Sequence, residues 1–216
     1  DNGTRRIRVT IVATADGRIT AQGVEQMVGF VASGWRYLLV RAPPERRARV
    51  LRGLVGQMLP GFEVDEVTLE DLDVRNGPLG FRWTAHSNLS RREAVRSFSL
   101  NLSPEGLSRA TVQQPERSTP LWMDRFTDLT VEVDVRLPPR WSPRHVPTVI
   151  RTGMAGANYG RDAWWDDGER ILAIRKRFQL TPLLVLPEAY PTWVRVARAV
   201  DEADTLFLEM GPPAQR

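Results

Sequence analysis

Cysteine is absent from this chain of 216 residues. That excludes disulfides, thiolate metal sites and a cysteine nucleophile, and it suits a reducing or an oxidising compartment equally. Lysine is almost absent as well: of 30 basic residues, only Lys176 is a lysine. Histidine is limited to His86 and His145. His86 falls on the polar phase of a strand pattern, and His145 sits in the loop Arg144-His145-Val146-Pro147. Nothing in the spacing joins them, and without cysteine a metal site would need carboxylates. There is no Gly-x-Ser-x-Gly elbow, and Gly153-Met154-Ala155-Gly156 lacks the Lys and Ser/Thr of a phosphate loop. No catalytic residue, resident metal or cofactor is therefore expected. No apolar run approaches the roughly 20 residues of a spanning helix, and no signal-peptide core opens the chain, which starts Asp1-Asn2-Gly3 without Met. The expectation is a mature fragment or excised domain with no transmembrane segment.

The residues that are present allow a real core. Hydrophobic residues make up 42% and charged residues 26%, enough for one large domain or two small ones. The net charge is +4 and the pI is about 10.2. A nucleic-acid binder gathers such charge on one face. Here arginines run from Arg5 to Arg216, mixed with acids throughout, so no nucleic-acid partner is expected. The preference for arginine over lysine reads as the composition of a GC-rich genome.

Periodicity divides the chain. Arg6-Ile7-Arg8-Val9-Thr10-Ile11 alternates with period two, Asp16-Gly17 is a hairpin signal, and Arg18 to Gly23 reads as the return strand. A helix is expected from about Val28 to Val40. A second begins at Pro43-Pro44-Glu45, carries the stripe Val50, Leu51, Leu54, Val55, Met58 and Leu59, and stops at Pro60-Gly61. Beyond Gly61 the period returns to two, in Leu79 to Ala85, in Phe98 to Leu102, and most cleanly in Leu129, Val131, Val133, Val135 and Leu137. Leu172, Ile174, Phe178 and Leu180 share one phase that Lys176 breaks, which points to an edge position or a bulge. Pro104 to Pro120 has no period and reads as a long connection. The order predicts an α+β fold: a mainly antiparallel β-sheet or sandwich, two helices in the first third, and a closing amphipathic helix packed on the sheet. The candidate boundary is Pro60-Gly61, giving a hairpin with two helices over residues 1–61 and a β-rich region over 62–216, or a single compact unit.

Arg161-Asp162-Ala163-Trp164-Trp165-Asp166-Asp167-Gly168-Glu169 is the densest polar cluster. Acids beside paired tryptophans suit Ca²⁺ or a sugar, so Asp162, Trp164, Trp165, Asp166, Asp167 and Glu169 are the candidate binding residues. A structural alternative stands beside this: a β-hairpin turning at Asp167-Gly168, with one tryptophan covering a core edge. A two-carboxylate hydrolase on Asp162 and Glu169 would further need a cleft and a raised pKa. Ser90-Arg91-Arg92-Glu93 reads as a solvated cap, and Asn88 and Asn101 open glycosylation-type triplets.

The closing segment places Tyr190, Trp193, Val194, Ala197 and Val200 on one helical face, with Glu188, Arg195, Arg198 and Glu202 on the others. Its lettering is Pro187, Tyr190, Trp193, Arg195, Arg198, Val200, Asp201 and Ala203, followed by Leu206-Phe207-Leu208. It resembles the carboxyl end of bacterial envelope proteins that carry a transglutaminase-like, papain-fold core flanked by β-rich domains of unknown function. Asp16-Gly17, the helix ending near Arg41, Leu59-Pro60-Gly61-Phe62, and Val131 to Pro139 follow in the order of that family. In such proteins the catalytic Cys, His and Asp belong to the core, and this chain, without cysteine, carries none of them. A cysteine often found near Val196 or Ala197 is also missing. The resemblance implies a non-catalytic accessory domain that follows the core, located in the periplasm or cell envelope, with that core or another envelope protein as partner. The alternative is a free-standing surface module that binds glycan or calcium through Arg161 to Glu169.

Overall fold

The hairpin signalled by Asp16-Gly17 forms, with Gly17 at φ +83°. It joins β1 (Gly3–Ala13) to β2 (Ile19–Val28). The computed structural model describes residues 2–74, 76–87, 95–103, 105–125 and 127–212. The return strand runs past Gly23 to Val28 because Glu25, polar in sequence, continues the inward phase and is buried. Gly29 then turns the chain at φ +65° into α1 (Gly29–Val40). The prolines open α2 (Pro44–Met58), with Glu45 in its first turn near the positive end of the dipole. Arg47 on α2 donates to the carbonyls of Leu39 at 2.7 Å, Ala42 at 2.8 Å and Val40 at 3.2 Å. It thereby satisfies acceptors that the end of α1 leaves open.

After Gly61 come β3 (Phe62–Glu70), β4 (Leu79–Ser87) and β5 (Arg96–Asn101). The aperiodic stretch that follows holds a short helix, α3 (Leu107–Thr111), before β6 (Leu121–Met123) and β7 (Thr127–Arg136). The chain continues through β8 (Ser142–Pro143), β9 (Ile150–Met154), β10 (Ala157–Asp166), β11 (Ile171–Leu180) and β12 (Leu183–Val185). A 3₁₀ turn at Pro187–Ala189 leads into α4 (Tyr190–Asp204), and β13 (Thr205–Gly211) ends the order.

Eight strands form one sheet in the order β3-β4-β2-β1-β7-β11-β10-β9. All its neighbours are antiparallel except β1 and β7, which run parallel with Ile7 opposite Val131. Strands β1 and β2 lie between β4 and β7, so residues on both sides of Pro60-Gly61 share this sheet. A three-stranded sheet, β5-β13-β8, faces it and sends Phe98, Leu100, Leu208 and Met210 into the same core as Val9, Val133 and Ile174. Helices α1 and α2 cover the β1–β3 side, and α4 covers β9 to β11. The fold is thus α+β and β-rich, with the closing helix packed on the sheet. The opposite face of the large sheet is wet, and its charges pair across strands: Arg8–Glu132 at 3.2 Å, Arg175–Asp134 at 2.6 Å and Arg177–Asp128 at 2.8 Å. Among the described residues, no helix is long and apolar enough to cross a membrane. Asn88 and Ser90 to Glu93 lie outside the described residues, and Asn101 accepts a hydrogen bond from the Ser103 amide at 3.0 Å.

Candidate functional site

The acidic tryptophan cluster is a hairpin, with Asp166 opposite Ile171 and residues 167 to 170 in the turn. Strand alternation separates its members. Asp162, Trp164 and Asp166 point to the wet face, while Trp165 leans on the main core. Asp162 is held by Arg151 at 2.6 Å. Asp166 accepts from the Glu169 amide at 3.0 Å. Asp167 meets Trp165 and Arg170, each at 3.3 Å. Each of these carboxylates has its own partner, and they do not converge. Trp164 is 46% exposed, with Arg175 5.4 Å above its ring.

The closing helix uses its polar atoms to hold α3 and the segment behind it. Tyr190 donates to the Gln114 carbonyl at 2.7 Å, and the Trp193 indole donates to Thr111 Oγ1 at 3.1 Å. Asp201 accepts from the amides of Leu107 at 2.6 Å and Ser108 at 3.0 Å, and from the Ser108 hydroxyl. The rings of Tyr190 and Trp193 are fully buried. The three letters of the signature that most resemble a site are therefore fastenings.

Lys176 corrects the reading of its strand. Strand β11 is internal, paired without a break to β7 and β10, so the polar letter marks neither an edge nor a bulge. The lysine faces the core with its side chain 0% exposed and pairs with Asp204 at 2.6 Å. It also donates to the Leu102 carbonyl at 3.3 Å and to the Ser103 hydroxyl. Tyr159 donates to the other oxygen of Asp204 at 2.8 Å. Burial pushes the Lys176 ammonium below the usual lysine range, against the pull of Asp204. Burial, and next the charge of Asp204, hold the Tyr159 phenol well above its ordinary range. A second buried pair lies nearby, Arg5–Glu25 at 2.5 Å, and burial raises the Glu25 carboxyl despite Arg5. The signal for the lysine was its rarity: the only lysine, on an apolar phase.

Arg5 also stands at the polar end of a cleft of about 200 Å³. Its floor is Ile7, Leu129 and Phe178 of the sheet, and its walls are Trp35 on α1, Leu107 on α3 and Val200 on α4. Glu105, 56% exposed at the mouth, receives Arg5 Nη1 at 3.2 Å. Sequence patterning gives no warning of this cleft, because its lining comes from six separate elements and one connecting loop.

On the outside, β6 and β12 form a two-stranded ribbon with Trp122 directly opposite Leu184. Leu121, Met123, Leu183 and Val185 pack inward against the α4 core. Trp122 (62% exposed), Leu184 (47%) and Leu186 (42%) point the other way. Leu186 and Leu184 share one side by alternation, so the three make an apolar patch at the entrance to α4. No family model, curated protein or solved structure matches this chain.

Proposed function

We propose that this chain is a non-catalytic interaction domain of a bacterial envelope protein, following a transglutaminase-like core and docking on it. The observation that supports this most is the patch of Trp122, Leu184 and Leu186 beside the signature helix. A cross-strand tryptophan–leucine pair left in water loses the burial that ordinarily stabilises such side chains by about 1.5–3 kcal/mol each. Tryptophan dominates the energetics of protein interfaces when it enters a partner's pocket. The buried ionisable groups support the non-catalytic half of the reading. Lys176, Asp204 and Tyr159 are engaged with one another, and Arg5 and Glu25 are paired.

The test is binding between this chain and the papain-fold core encoded upstream, with wild type compared with Trp122→Ala/Leu184→Ser. Both side chains are exposed, so the fold should survive with an unchanged circular dichroism spectrum. Binding should weaken by about a hundredfold, the scale of a lost tryptophan anchor. Equal binding by the double variant sinks the reading. The glycan alternative rests on Trp164, whose exposed ring has Asp162 on the same strand face. Calorimetry with cell-wall sugars, with Trp164→Ala as control, separates it from docking.

A further inference from the structure

We propose that the cleft between α1 and α4 is a binding site for a small amphipathic amine, a primary ammonium group on a short aryl or alkyl body. The space sets the size. About 200 Å³ lies below the roughly 300–1,000 Å³ of drug-sized pockets, yet exceeds the cavity of about 150 Å³ that takes a benzene ring. One ring with a short arm fits. Leu129, Phe178 and Trp35 give that ring an apolar bed, drawn from the sheet and α1.

The charges around Arg5 set the head group. Arg5 is shared by two carboxylates, through Nε to Glu25 at 2.5 Å and through Nη1 to Glu105 at 3.2 Å. One guanidinium against two carboxylates leaves this triad one formal negative charge in surplus. Lys176 and Asp204 form a neutral pair of their own and do not cancel it. Among the described residues, Glu105 Oε2 accepts no hydrogen bond, and this carboxylate stands at the mouth. An ammonium group donating to Oε2 neutralises the surplus while its apolar body displaces water from the floor. A carboxylate in the same place would add a third negative charge around one arginine.

The test uses the whole chain and three probes of matched body: 2-phenylethylamine, 3-phenylpropionate and 3-phenylpropanol, followed by calorimetry and thermal shift. The amine should bind tightest and raise the melting temperature, and the carboxylate should give no shift. Glu105→Gln, a half-exposed substitution, should weaken the amine by about tenfold or more and leave the alcohol unchanged. Ala110→Phe at the rim should block all three. Trp122→Ala should change none of this, which separates the cleft from the docking patch. The proposal is overturned if no probe binds, if the carboxylate binds as well as the amine, or if Glu105→Gln leaves the amine unaffected.

Discussion

Lys176 and Asp204 carry the clearest consequence at the scale of single residues. Both side chains are at most 1% exposed, and removing one partner strands the other charge away from water. Lys176→Met should therefore cost about 3–5 kcal/mol in urea unfolding. Adding Asp204→Asn to it should recover most of the loss, because the amide keeps an acceptor for Tyr159 without carrying charge. If the double variant is no more stable than the single one, the lost packing of the lysine stem outweighs the charge. Tyr159 sets a pH dependence. Its folded pKa lies above the ordinary 10.0, so its contribution is complete below pH 10 and declines as the pH rises beyond that, where only the unfolded chain releases the proton. Tyr159→Phe should lose about 1 kcal/mol at pH 7 and show a shallower decline between pH 10 and 11 than wild type. Parallel alkaline limbs for the two proteins would contradict the assignment.

Among the elements, the junction of β2 with α1 depends on Gly29. Its φ of +65° and the Asn2 carbonyl beside it leave no room for a Cβ. Gly29→Ala should destabilise by about 1–2 kcal/mol from backbone conformation alone, with more from the clash, read as a lower urea midpoint at unchanged m-value. Much of the element pattern was legible in the sequence. The hairpin at Asp16-Gly17, the helix over Val28 to Val40, the proline-opened α2 and the strand around Val131 to Val135 follow from alternation, prolines and turn residues. What stayed hidden was set by contacts between distant parts of the chain. Glu25 and Lys176 look polar in sequence and sit inward because Arg5 and Asp204, far away in the chain, neutralise them. Helix α3 has too few residues to show a period and is held by Asp201 and Trp193 from the other end of the chain, with Tyr190 fastening Gln114 just behind it. The tryptophan hairpin was legible as a turn, but alternation along β10 sends Trp165 to the face opposite Asp162, Trp164 and Asp166, while Asp167 and Glu169 lie in the turn, a separation that adjacency in sequence conceals.

At the scale of the whole molecule, the helices and the smaller β5-β13-β8 sheet gather on one side of an eight-stranded sheet, with the buried pairs Arg5–Glu25 and Lys176–Asp204 on that same side. The closing helix packs on α3, β9 and β13 and buries its apolar face beside Tyr159 and Phe178, so its signature letters belong to the frame. The surface proposed for docking is the ribbon beside it, where Trp122, Leu184 and Leu186 lie in water. The most direct measurement is calorimetric binding of this chain to the papain-fold core that the proposed function places before it, with wild type set against Trp122→Ala/Leu184→Ser. Saturable binding by the wild type and about a hundredfold weaker binding by the folded double variant are expected. An upstream sequence with no such core, or a double variant that binds as tightly as wild type, would contradict the docking role.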